Sequence, residues 1–362
     1  MRFLACLLVV LVLANTAGAD TDDLDFAALL QGVDESNKLY DTENWYNWGS
    51  SIVKGEDEKY HLFYAQMSRE LGHDTWLTDG VISHAVSDSP AGPYTHRQIV
   101  LGGRGQGFWD ERTAHNPWIQ KYNGKYYLYY ISTNFGGRSL DEEQLSQART
   151  QWIDNEYRAM IRESQRIGVA VADSVYGPWM RLDEPIVEPG GPIETITCNP
   201  AVSQRPDGGY IMLVRGDMPG VDELVRHQAV ALARTPTGPW TIQEKAAVDE
   251  LNAEDPALWW DEKRQRYYGI YHAFGYMGLI TSEDGLNWRR AKNYKIMDLA
   301  YRLKTGEYVK VTRMERPFVY LEDGTPKVLT VSIMQDDGES YSLFIPLAEN
   351  NQLSPRQTGR RN

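Results

Sequence analysis

One local pattern returns five times along this chain, and that constrains the fold more than any bulk property. A small or polar residue, usually followed by Pro, opens an apolar strand-like run; an Asp/Gly turn follows, then a second apolar strand, Tyr-rich in most copies. The fullest copy runs from His115-Asn116-Pro117-Trp118 through Asn123-Gly124 to Tyr126-Tyr127-Leu128-Tyr129-Tyr130. Others open at Asn199-Pro200, Glu254-Asp255-Pro256 and Glu315-Arg316-Pro317, and a copy without proline opens at Gly49-Ser50-Ser51. A recurring hairpin at this spacing means repetition of one supersecondary unit.

A second hairpin repeats with it. Ser87-Asp88-Ser89-Pro90-Ala91-Gly92-Pro93-Tyr94 returns as Ala172-Asp173-Ser174-Val175-Tyr176-Gly177-Pro178-Trp179 and as Ala233-Arg234-Thr235-Pro236-Thr237-Gly238-Pro239-Trp240. Ser282-Glu283-Asp284-Gly285-Leu286-Asn287-Trp288 is a looser copy. Strand, Ser/Asp turn and Gly-Pro-aromatic strand read as a hairpin from turn chemistry. Two hairpins make four strands per unit, and five units at roughly 65 residues each predict an all-β, five-bladed β-propeller with an axial pocket, spanning 45–350. The abundance of aromatics, 11 Trp and 22 Tyr, suits strands. The stretch 139–166 breaks the pattern with a loosely helical spacing and is expected to be a helical insertion near the rim. Residues 20–44 read as a lead-in and 351–362 as a disordered tail.

The N-terminus carries a positive Met1-Arg2, an apolar run from Phe3 to Ala14 and an Ala17-Gly18-Ala19 cleavage site. This predicts a signal peptide over 1–19, removal after Ala19 and an exported protein, periplasmic or extracellular. The apolar run is too short to be a membrane anchor. With the signal gone, Cys198 is the sole cysteine, so no internal disulfide is expected. A formal net charge of −13 argues against nucleic acid and anionic membranes as partners and is compatible with oligo- or polysaccharide. The oligomeric state is not legible.

In a propeller the strand opening each blade lies nearest the axis, so its leading polar residues converge on one end of the funnel. The candidates are Trp48 and Gly49; Asp110, His115 and Asn116; Glu194 and Asn199; Glu254 and Asp255; and Glu315 with Arg316. A ring of acids at an axial pocket suits glycosidic cleavage: one carboxyl protonates the leaving oxygen while a carboxylate activates water or attacks. Trp48, His115, Asn116, Asn199, Asp255 and Arg316 are the expected substrate contacts, Trp48 as a stacking wall. A one-residue register slip would exchange the roles of Glu254 and Asp255. Cys198 has no evident base partner and reads as a small buried residue.

On these strand openings, and on the Asn-Gly-Lys-Tyr-Tyr-Leu-Tyr-Tyr strand at 123–130, the chain resembles the five-bladed glycoside hydrolases of family 43 and, more broadly, the furanosidases and fructosidases that share their fold. The resemblance spans roughly Trp45 to Pro346 and is to a divergent subgroup. It implies exo-acting, inverting removal of arabinofuranosyl or galactosyl-type sugars. It also implies an Asp base opening blade one, a second Asp that orients substrate, and a Glu acid in an E-G-P-like motif. Glu254-Asp255-Pro256 matches the acid motif, which makes Glu254 the expected general acid. Gly49 and Asn199 stand at the two expected Asp positions.

The base is therefore open: Asp41, Glu43, Asp110, Glu111 or Glu194 from nearby loops, or Glu315 acting with Glu254. The alternative is a catalytically degenerate carbohydrate-binding propeller. A sugar-transferring relative would need a nucleophilic Asp at blade one, which Gly49 opposes. No phosphate-cradling Gly-rich loop, metal-spaced Cys/His set or G-x-S-x-G elbow is present, so no cofactor is required. An axial calcium ion is compatible with such a fold, but no residue specifies it.

Overall fold

The computed structural model describes residues 23–150, 155–221, 224–248 and 252–349. The expected signal peptide, the tail after 350 and residues 151–154 of the insertion lie outside these.

Five four-stranded antiparallel sheets form the blades of a β-propeller. Blade one is Trp45–Lys54, Tyr60–Ser68, Val81–Ser87 and Thr95–Leu101. Blade two is His115–Tyr122, Lys125–Ser132, Arg166–Ala172 and Met180–Arg181. Blade three is Glu194–Gln204, Tyr210–Asp217, Arg226–Ala233 and Thr241–Ala246. Blade four is Glu254–Asp261, Arg266–Ala273, Tyr276–Ser282 and Arg289–Asp298. Blade five contributes Arg313–Glu322, Thr325–Met334 and Ser340–Pro346, and Lys38–Tyr40 pairs antiparallel with the last of these as its outer strand. The first strands of successive blades touch around the whole ring, including five against one. Sequence reading leaves 20–44 outside the propeller; three of those residues in fact close it.

The blades are held by alternation. Inward residues such as Leu62, Tyr129, Leu213, Ile270 and Leu329 are buried, and faces of adjacent sheets interdigitate. Along the axis, Trp118 of blade two meets Phe318 of blade five with ring centroids 4.7 Å apart, and Trp118 Nε1 donates to the Val202 carbonyl at 3.0 Å. Between the second and third strands of blade two run two helices, Glu142–Arg149 and Glu156–Glu163. Their apolar residues, Ala148 and Ile161 among them, pack with Leu77 and Phe135. Arg162 ties the second helix to Asp217 of blade three through two hydrogen bonds of 2.8 and 2.7 Å.

Candidate active site

Each opening strand contains the same irregularity. Gly49, Asn116, Asn199, Asp255 and Arg316 have left-handed φ of 47, 50, 53, 53 and 58°. At each, the register with the second strand skips: Trp48/Ser50, His115/Trp118, Cys198/Ala201, Glu254/Ala257 and Glu315/Phe318. A bulge with a left-handed residue re-aims one side chain, and five of them direct five residues at the axis. Asn, Asp and Gly tolerate this conformation best, which accounts for four of the five identities.

The re-aimed side chains line the axial pocket, together with Ser50, Pro117, Trp118, Pro200, Pro256 and Pro317. Asn199 Nδ2 donates to Asp255 Oδ1 at 2.7 Å. Arg316 Nη1 lies 2.8 Å from the same oxygen, and the Arg316 backbone N–H donates to Oδ2 at 3.2 Å. With its amide oxygen toward Arg316, Asn116 accepts from Nη1 and Nη2 at 3.0 and 2.9 Å; turned the other way, it donates to Asn199 Oδ1 at 3.2 Å. Arg316 thus reaches past blade one, where Gly49 offers no side chain.

One residue earlier in each opening strand lies a second layer: Trp48, His115, Cys198, Glu254 and Glu315. It is asymmetric. Trp48, His115 and Cys198 are 4, 1 and 2% exposed, whereas Glu254 and Glu315 are only partly buried. The acids therefore gather on the side of blades four and five. His272 stands opposite Glu254 on the second strand of blade four, with Nδ1 3.6 Å from Asp255 Oδ2. Asp255, His272 and Glu315 each place an atom within 4.8 Å of the others.

Each acid has its own guanidinium. Arg313 donates to both oxygens of Glu315 at 2.8 and 3.0 Å, Arg316 holds Asp255, and Arg226 Nε contacts Glu254 Oε1. Burial pushes the Asp255 carboxyl above its ordinary value despite Arg316, and Glu254 and Glu315 push the same way. Burial would also raise Glu315, but the Arg313 ion pair outweighs it and holds Glu315 below the ordinary range. These two neighbouring carboxyls are thus driven in opposite directions. The trio offers three atoms to a cation, yet both of its carboxylates already carry a guanidinium, and Arg316 puts a fixed positive charge among the axial residues. The residues present do not fit a resident divalent ion.

Several expectations are corrected. Asp110 cannot be the base: it is fully buried, with Arg104 and Arg181 on its carboxylate and the Tyr130 hydroxyl donating at 2.9 Å. Glu194 stands exposed at the outer start of its strand, outside the acid cluster. Trp48 offers no open face, since the Arg313 guanidinium lies 4.9 Å from its ring and His73 meets it edge-on at 4.9 Å. His115 is buried with neither ring nitrogen partnered, and burial drives its pKa well down, so it does not reach substrate. Asp41 and Glu111 are likewise engaged in backbone contacts. Asn116, Asn199, Asp255 and Arg316 do line the pocket. Glu254 sits in the layer above rather than at the axis, and the register places Asp255 there. Burial raises the Cys198 thiol, consistent with an inert role.

Sequence reasoning missed His272, Arg313, Arg226 and Arg215. His272 and Arg215 lie near the ends of second strands, and pairing those strands antiparallel to the opening strands would have found them. It also missed Phe274, 79% exposed at the turn two residues beyond His272, with the Arg226 guanidinium 5.8 Å from its ring.

No protein-family model matches the chain, and no curated protein does. Solved structures of the same architecture match over most of its length. One is Zg3597, a family 117 glycoside hydrolase of the marine bacterium Zobellia galactanivorans, with TM-score 0.55, 16% identity and 87% and 88% of the two chains covered. A thermostable family-43 glycoside hydrolase gives TM-score 0.60, 14% identity and coverage of 89% and 98%. The GH43_1 enzyme from Xanthomonas citri complexed with xylotriose gives TM-score 0.54, 15% identity and coverage of 88% and 97%. The fold is the five-bladed propeller of these hydrolases.

Proposed function

We propose that this protein is an exported glycoside hydrolase that removes a terminal arabinofuranosyl or galactosyl-type sugar from an oligo- or polysaccharide. The observation that carries this is the cluster of Asp255, Glu315 and His272, each with an atom within 4.8 Å of the others, with Glu254 beside Asp255 on the strand that opens blade four. The glycoside hydrolases that share the fold support it.

Glu254, with a side chain 28% exposed, is the proton donor to the leaving oxygen. Glu315, kept ionised by Arg313, is the carboxylate that activates water. Asp255 orients Arg316 and His272 from beneath. Phe274 offers a stacking face to the leaving group. Inverting enzymes hold their carboxyls about 6.5–9.5 Å apart, and the nearest atoms of Asp255 and Glu315 are within 4.8 Å. Inversion therefore requires Glu254 in the reacting pair.

The test is a screen of aryl glycosides of arabinofuranose, xylose, galactose and galactofuranose, with the product anomer followed by NMR. Glu254→Gln should lower kcat by about 10²–10⁴ while ligand affinity persists. A substrate turned over equally by the variant sinks the assignment. One observation favours a second reading, a sugar-binding propeller without turnover: every acid of the cluster is ion-paired and Gly49 supplies none. That reading stands if ligands bind and no glycoside is cleaved.

A further inference from the structure

At and beside the acid cluster five guanidiniums meet four carboxylates. Arg226, Arg316 and Arg313 are matched to Glu254, Asp255 and Glu315. Arg215 comes fifth, after Arg162 has taken both oxygens of Asp217. It lies two residues before the end of the second strand of blade three, opposite Cys198, in the layer that holds Glu254 on the next blade. It is 6% exposed. Its contacts are weak ones: Nη1 with the Cys198 sulphur at 3.5 Å, and Nη2 with Asp217 Oδ1 at 3.4 Å. Its Nε has no hydrogen-bond partner.

An arginine stays charged when buried, and a buried charge without full hydrogen bonding is costly. A planar fork with unspent donors matches a group with two coplanar or adjacent anionic oxygens. The protein as a whole carries a net charge of −13, so a buried guanidinium whose one carboxylate contact is long runs against the general composition.

We infer that the site takes an acidic sugar, whose carboxylate or sulfate oxygens are held by Arg215 while the glycosidic bond lies over the acid cluster. The inference rests on the hydrolase reading for its substrate class but not for its binding chemistry. A uronic acid and a sulfate ester present the same acceptor pair, and the test separates them.

Binding to the full chain is measured by calorimetry at low and at raised salt. The probes are methyl galactoside, methyl galacturonide and methyl galactoside 6-sulfate, with the corresponding gluco set. One charge-assisted contact to a buried fork predicts roughly a tenfold to hundredfold preference for an anionic member over its neutral counterpart. The preference should weaken with salt. Preference for the uronide assigns a carboxylate; preference for the sulfate assigns a sulfate ester. Arg215→Gln should erase the preference, and Arg215→Lys should keep a smaller one because it retains charge without the fork. Equal or tighter binding of the neutral sugars by the unaltered protein overturns the inference and needs no variant to fold. So does a preference that survives Arg215→Gln. Cleavage of neutral glycosides without anion preference removes this inference and leaves the hydrolase intact. Selective anion binding without cleavage of any acidic glycoside does the reverse.

Discussion

At Gly49 the chain departs furthest from the pattern that the other blades share, and the space around it says why. Its φ of +47° suits any small or Asn/Asp residue, but a Cβ there would lie 3.0 Å from Asn116 Oδ1 and 3.6 Å from Arg316 Cγ. Arg316 has crossed the vacant position to reach Asn116, so the volume a blade-one carboxylate would need is already filled. Restoring an acid is therefore not a restoration of a base. Gly49→Asp should break the Arg316–Asn116 contact and lower stability by about 1–3 kcal/mol, the usual cost of overpacking a closed site. Urea unfolding of the two proteins measures this. An unchanged midpoint would mean that Arg316 yields freely, and the account of the missing carboxylate would then fail.

Turns that clasp one blade to the next carry a pH response. In blade one, His61 Nδ1 lies 2.8 Å from His84 Nε2 and His61 Nε2 lies 2.9 Å from Asp57 Oδ1. Tyr176, from the turn of blade two, donates to Asp57 Oδ2 at 2.8 Å, and Tyr126 donates to Glu56 at 2.7 Å. Burial, reinforced by His61, Arg97 and His96 and opposed by Asp57, lowers His84 to about 4. The unfolded chain then binds more protons than the native one between pH 6.5 and about 4. Stability from this group is complete above 6.5 and declines as pH falls through 4, by on the order of 3 kcal/mol. Asp41, raised to about 6 by burial, acts in the opposite sense, since its contribution is present below its unfolded value and is lost as pH rises through 6. The difference between wild type and His84→Gln cancels Asp41 and should isolate the histidine: the gap in Tm narrows as pH drops from 7 to 4. A gap independent of pH removes His84 from the titration. The hairpins that carry this clasp were legible because turn residues repeat at matched offsets. The left-handed bulges were visible only as X-Pro pairs, so whether Glu254 or Asp255 faced the axis stayed open until the register was known. Asp110 misled because proximity in sequence to an opening strand says nothing of Arg104 and Arg181, which arrive from elsewhere. Arg313 stands two residues ahead of the repeated Glu315-Arg316-Pro317 pattern, and Arg226 and His272 lie on other strands, so no short motif marks them.

Closure of the whole ring depends on a segment that sequence patterning leaves outside it. Asp23 is held by Arg266 and Arg289, and the Leu24 backbone N–H donates to the Tyr268 hydroxyl at 2.9 Å, so the strap begins on blade four. Phe26 packs on Trp259 of that blade, with ring centroids 5.7 Å apart. Val33 N–H donates to the Arg302 carbonyl and the Val33 carbonyl accepts from Lys304 N–H on the way to blade five, where Lys38–Tyr40 pairs with 341–343, and the chain then turns into blade one. A strand of three residues has no periodicity to betray it, and its partner is some three hundred residues away, which is why only the fold exposes it. Since the strap touches three consecutive blades, its loss should loosen the ring as a unit rather than fray one edge. Phe26→Ala removes a fully buried ring and should cost about 3–5 kcal/mol. If the blades unfold together, calorimetry will show one transition moved to lower temperature, with near-UV and far-UV signals lost at the same point. A separate early transition confined to blades four and five would instead mean that the strap stabilises them locally and that the ring is closed by its inner strands alone.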